Sequence, residues 1–101
     1  MKKILLILIP LIFATLVYAN DKMELGLEVF NNKARCGACH ALQAAGSKDG
    51  IGPNLDQLKP QKEILITTVA NGIGVMPSFE DILTKKEIEA VAYYVFKSTN
   101  K

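Results

Sequence analysis

The chain has 101 residues, half of them hydrophobic and 22% charged, with a formal charge of +2 at pH 7. That length excludes an enzyme with separate cofactor and substrate lobes, and the apolar content excludes a disordered tail. A charge of +2, with no Lys/Arg cluster beyond the first three residues, is too small a footprint for nucleic acid.

The composition divides at residue 19. Met1-Lys2-Lys3 is a short cationic start, Ile4 to Val17 is almost unbroken Leu and Ile, and Val17-Tyr18-Ala19 offers small or permissive residues to a signal peptidase. Residues 1–19 thus have the layout of a secretory signal peptide, cleaved after Ala19. The apolar run of about 15 residues, interrupted by Pro10, is short against the ~20 that a membrane span needs. An uncleaved N-terminal anchor is the alternative reading, and no Cys follows the cut to carry a lipid. Residues 20–101 are about 43% apolar, ordinary for a soluble domain, with ten basic and ten acidic residues.

The first element of this domain is expected to be a helix. Asp21 and Glu24 have capping-box spacing, and Met23, Leu27, Phe30 and Ala34 recur on one helical face. Residues 35–59 carry Gly37, Gly46, Gly50, Gly52 and Pro53 and read as a long loop, with room for a turn of helix after Cys36. Pro60 suits the first turn of a second helix that runs through Ile64, Leu65, Thr68 and Val69 and stops at Asn71-Gly72. A second glycine-bearing loop follows, containing Gly74 and Met76-Pro77. Thr84 and Glu87 repeat the capping-box spacing ahead of a last helix striped by Ile88, Val91, Ala92 and Val95 and ending near Ser98. No stretch alternates with period two. The fold class is therefore all-α: three main helices joined by loops so long that they need a common support.

Cys36-Gly37-Ala38-Cys39-His40 supplies the reason. C-x-x-C-H is the attachment signature of c-type haem, with Cys36 and Cys39 as thioether donors and His40 as the proximal iron ligand. Three alternatives stand beside it. A thioredoxin-type motif would sit in a βαβ unit, a structural zinc site wants four Cys/His ligands where this domain has three, and a plain disulfide leaves the glycine-rich loops unexplained. His40 is the only histidine, so bis-histidine ligation within the chain is excluded. Met23 and Met76 are the domain's methionines. Met23 lies on the apolar stripe of the first helix, as a core Met would. Met76 lies in Gly72-Ile73-Gly74-Val75-Met76-Pro77, where glycines permit close approach to a flat ring, and is the expected second ligand. Gly52-Pro53 is either an ordinary loop turn or the place where the Pro53 carbonyl accepts the other ring N–H of His40.

With these residues in order, the chain resembles class I cytochromes c across residues 20–101, and the stretches Asn71 to Phe79 and Ile88 to Val95 are similar to the small soluble bacterial and algal members. The resemblance implies one covalently bound haem c with its iron, wrapped by three main helices and long loops. It also implies Gly26 at a contact between the first and last helices, with Phe30, Val91 and Tyr94 around it, and a hydrogen bond from His40 to Pro53. The chain departs from the family in having no Trp and no recognisable propionate-binding group.

The expected function is one-electron transfer by a periplasmic monomer of a respiratory or related chain, with transient redox protein partners and no membrane span after cleavage. Its rim would be Gly37, Ala38, Gly74, Val75 and Pro77. A fixed relay subunit of a periplasmic dehydrogenase complex and a haem peroxidase are the alternatives. If the cofactor supports both loops, the haem-free chain is expected to lack a cooperative thermal transition. Calorimetry of the apoprotein checks this, and a native-like transition would contradict it.

Overall fold

A computed structural model describes residues 18–101. Most of the expected signal segment, including its cationic start and apolar run, lies outside the described residues. Among the described residues the structure is helical, with two isolated antiparallel bridges, Leu42 with Ser47 and Ile73 with Met76, in place of any strand.

The first helix, α1, covers residues 18–28. Asp21 and Glu24 lie inside it and do not start it, because Tyr18, Ala19 and Asn20 ahead of them contain no breaker and are already helical. The helix then widens into a π-turn, Val29–Lys33, closed by the Ala34 N–H donating to the Val29 carbonyl at 2.9 Å. The wider turn shifts the buried face. Val29 and Phe30 are both fully buried, Met23 and Ala34 pack against the core, and Leu27, expected on the stripe, stays partly exposed.

The long connection from Ala34 to Pro60 is more ordered than its glycines suggest. It contains two 3₁₀ turns, Cys36–Ala38 and Gln43–Ala45, and a short helix α2, Leu55–Leu58. Asn54 caps α2 through its side-chain oxygen, which accepts from the Asp56 N–H at 2.9 Å. Helix α3, Lys62–Asn71, starts two residues later than expected, since Gln61 holds the extended cap conformation and Pro60 precedes it. Gly72, with φ of 75°, ends α3 where the sequence places the stop. Helix α4, Lys85–Thr99, carries the complete capping box: Thr84 Oγ1 accepts from the Glu87 N–H at 3.1 Å, and Glu87 Oε1 accepts from the Thr84 N–H at 2.9 Å.

These helices meet at α4. Leu65 and Val69 of α3 pack on it from one side, and α1 lies against it from the other. A Cβ on Gly26 would sit 2.4 Å from both the Ala90 carbonyl oxygen and Tyr94 Cβ, so only glycine permits this approach. The Phe30 and Tyr94 rings lie beside that point, 6.1 Å apart and tilted by 56°. Lys33, at the end of the π-turn, pairs with Glu87 Oε2. That bond holds the Lys33 ammonium above its ordinary value and the Glu87 carboxyl below its own. Glu87 therefore uses one oxygen to cap α4 and the other to hold α1 onto it.

Among the described residues no helix is long and apolar enough to cross a membrane. The Gly26→Ala variant sets a helix-propensity gain of ~1 kcal/mol against an overpacking penalty of ~1–3 kcal/mol or more. Because the clash is with a backbone oxygen and a Cβ, no rotamer relieves it. The expected result is a net loss of about 2 kcal/mol, read as a lower denaturant midpoint at unchanged slope. An unchanged midpoint would show that the helices do not depend on this contact.

Candidate functional site

The chemistry-bearing residues lie in the two connections that α3 separates. Cys36 to Ala38 form a 3₁₀ turn, and the N–H groups of Cys39 and His40 both donate to the Cys36 carbonyl, at 3.1 and 2.9 Å. The turn is entered through Arg35, a non-glycine residue in the left-handed region at φ 55° and ψ 44°. Both thiols are free. Cys36 is partly buried and Cys39 exposed. Before any thioether forms, burial pushes the Cys36 thiol up to about 11, so it is protonated near neutral pH. Gly37 lets the turn lie flat, since a Cβ there would be 3.1 Å from Ser47 Cβ and 3.4 Å from the Phe30 ring.

His40 is held by its backbone and by its ring. Its Nδ1 lies 2.7 Å from the Pro53 carbonyl oxygen. A carbonyl only accepts, so Nδ1 carries the proton and Nε2 keeps a free lone pair. Gly52 lies flat against the imidazole: a Cβ there would come within 2.6 Å of Cε1, 2.9 Å of Nδ1 and 3.1 Å of Nε2. The surrounding loop is tied to the same segment by the Gly52 N–H to Cys39 O at 2.8 Å and the Leu55 N–H to Ala41 O at 3.0 Å. Ser47 Oγ donates to the His40 carbonyl at 2.9 Å.

Met76 ends a tight reversal in which Ile73 and Met76 exchange N–H to O bonds of 3.1 and 2.9 Å. Gly74 has φ of 58° and Val75 does not share the positive φ, the pattern of a type II′ turn. A Cβ on Gly72 would strike the backbone of the returning strand, 2.7 Å from Met76 O and 2.8 Å from Pro77 C. Met76 is partly buried against the core. Beside it Val75 is 97% exposed, so among the described residues nothing packs over it. Ala38, Gly74 and Pro77 are exposed as well, and Gly37 is half-buried. Met23 packs against the core from α1.

Residues 21–95 match the profile of a family described as cytochrome c oxidase, cbb3-type, subunit III. The chain belongs to the cytochrome c family. It is similar to the chloroplastic cytochrome c6 of Chlamydomonas reinhardtii, 38% identical over 85 residues, which cover 74% of this chain and 53% of that protein. The chain thus spans about half the length of that relative. The cytochrome c6 of Bryopsis maxima is 34% identical over 89 residues, covering 78% of this chain and 94% of its own. Among solved structures, the c-type cytochrome SorU from Sinorhizobium meliloti superposes with a TM-score of 0.76 at 49% identity, covering 81% of this chain and 95% of that one.

The cytochrome is a monohaem class I member, and its cofactor is one haem c with iron, attached through Cys36 and Cys39. The residues present fit that group. Two thiols three positions apart suit two thioether bonds, the adjacent imidazole has its proton on Nδ1 and a lone pair on Nε2, and Gly52, having no side chain, leaves room for the ring. A zinc site fits less well. Among the described residues no three His, Cys, Asp or Glu side chains converge as a metal cage.

Sequence reasoning picked out Cys36, Cys39, His40, Pro53 and Met76 but did not single out Ser47. A lone serine in a glycine-rich loop carries no spacing signal, and its partner is a backbone carbonyl, which any residue has. Gly52-Pro53 left two readings open in the sequence, a loop turn or backbone brought against the imidazole, and the structure shows Gly52 itself against the ring. The Gly52→Ala variant is expected to turn the imidazole off the Pro53 carbonyl and destabilise the holoprotein by about 1–3 kcal/mol. Proton NMR of the diamagnetic ferrous protein checks it through loss of the slowly exchanging His40 Nδ1 proton. Its persistence would mean that the loop yields and the ring does not.

Proposed function

We propose that this cytochrome is an exported one-electron carrier in which His40 and Met76 occupy the two axial positions of the haem iron. The observation that carries the reading is the 2.7 Å bond from His40 Nδ1–H to Pro53, which leaves Nε2 free to coordinate and fixes the plane in which it does so. When bound, haem c supplies an Fe(III)/Fe(II) couple. Pro53 orients His40 and raises the basicity of its other nitrogen. Met76 offers a soft thioether, which favours the ferrous form and a higher potential. With both axial positions taken by side chains, no coordination site is left for a substrate, and the chain acts as a carrier and not as an enzyme.

Electrons would pass at the exposed rim formed by Gly37, Ala38, Gly74, Val75 and Pro77. These side chains are small and mostly apolar, suiting the limited, short-lived contacts of redox partners. A monomer with transient donor and acceptor proteins follows from that rim. The periplasm is its compartment, reached with cleavage after Ala19. Cleavage there would remove Tyr18 and Ala19 from α1 and leave Asp21 in its first turn, where a carboxylate is favourable. A second reading, a fixed relay within a larger complex, draws on the oxidase subunit named in the family description. A stable enzyme co-purifying with the cytochrome would favour it.

The test is expression with haem-maturation machinery and export, followed by a visible spectrum and redox titration. The exported protein is expected to begin at Asn20 by mass and to be low-spin and six-coordinate, with a positive potential. Met76→Ala should lower the potential and open the iron to cyanide or carbon monoxide. An unchanged spectrum and potential would overturn Met76 as ligand, and ready carbon monoxide binding by the parent would favour the peroxidase alternative.

A further inference from the structure

We propose that Ser47 is a positioning residue for His40, holding the backbone of the ligand residue from the side opposite its ring. The loop that contains Ser47 closes without the hydroxyl. Leu42 and Ser47 already exchange backbone bonds, Leu42 N–H to Ser47 O at 3.1 Å and Ser47 N–H to Leu42 O at 3.2 Å, with Gly46 supplying the left-handed residue at φ 75°. The hydroxyl oxygen shares the Leu42 N–H with the Ser47 carbonyl, and its proton is left for another acceptor. It has one proton and two acceptors in reach, the His40 carbonyl at 2.9 Å and the Leu42 carbonyl at 3.4 Å. The shorter bond takes it. Its lone pair meanwhile accepts from the Leu42 N–H at 3.0 Å, which fixes the direction in which the proton points.

Ser47 also lies beside the other end of the attachment segment, since a Cβ on Gly37 would sit 3.1 Å from Ser47 Cβ and 3.5 Å from its Oγ. One residue thus spans the five-residue motif, against Gly37 at the start and bonded to His40 at the end. His40 is restrained at its N–H by Cys36, at its carbonyl by Ser47, at Nδ1 by Pro53 and on its ring face by Gly52. The first and last of these survive any change at position 47. Losing the hydroxyl frees the carbonyl, lets the peptide plane after His40 rotate, and so turns the imidazole about its bond to the chain.

This inference rests on His40 as an axial ligand, and the experiment separates the two. Proton NMR of the ferric holoprotein reads the imidazole plane directly, because the spread of the four haem methyl shifts follows the orientation of the axial ligands. In the parent, His40 ring protons are expected to be strongly hyperfine-shifted; if they are not, the ligand assignment falls and the inference with it. Given shifted ring protons, Ser47→Ala is expected to redistribute the methyl shifts at a helix content unchanged by circular dichroism. Ser47→Gly, the second hydroxyl-free variant, should do the same, and Ser47→Thr should restore the parent pattern. A Ser47→Ala protein that melts earlier but keeps the parent methyl pattern would overturn the inference, as would a Ser47→Thr protein that fails to restore it.

Discussion

The approach of α1 to α4 at Gly26 is the constraint from which the rest of the structure follows. A side chain at that position would occupy the space of a backbone oxygen and of Tyr94 Cβ, so the helices meet backbone to backbone. That closeness lets Phe30 and Tyr94 fill the wedge beside the contact and brings Lys33 within reach of Glu87. It also sets where the chain leaves α1. The π-turn, the left-handed Arg35 and the attachment turn follow within 12 residues of Gly26, so the helix pair sets where the loop that holds the thiols and imidazole begins.

Around His40 the same economy appears on a smaller scale. The ring has a carbonyl acceptor on one nitrogen and a glycine on its face, and the backbone has donors and acceptors from two neighbouring turns. Each restraint removes one rotation: the Pro53 bond fixes the tautomer and tilt, while the Gly52 contact limits sliding. An imidazole restrained this way has little to reorganise when the charge beside its free nitrogen changes.

How much of this was legible in the residues depends on whether the signal was local. The α4 capping box was readable because Thr84 and Glu87 satisfy each other across three residues. Gly72 ended α3 where read, because the positive φ needs glycine whatever surrounds it. The equivalent pattern at Asp21 misled, since a cap works only where the preceding residues leave the helix, and these do not. Pro60 misled by two residues for a related reason: it precedes the extended Gln61 cap and not the first helical turn. The short helix α2 was passed over although Asn54 is a strong cap, because four residues give no periodicity to read. In the site, the residue types with distinctive chemistry were found from spacing. What stayed hidden were the Ser47 bond to the His40 carbonyl, unlike the Pro53 carbonyl contact that the sequence had offered, and the π-turn, which no residue type announces.

The bonds that shape the attachment segment share one further property: they are short in sequence. The ties from Cys36 to Leu55 join residues no more than 14 apart, Leu55 N–H to Ala41 O and Gln43 N–H to Asp56 among them. Closing such small loops takes little chain entropy, and contacts of this kind form early relative to those that join distant parts of a fold. Met76 lies beyond α3, 36 residues after His40, so the proposed pairing of the two across one iron is a long-range one. In that proposal the two ligands differ in contact order. The imidazole can order within a short stretch of chain, whereas a bond from Met76 would report whether the whole domain has folded.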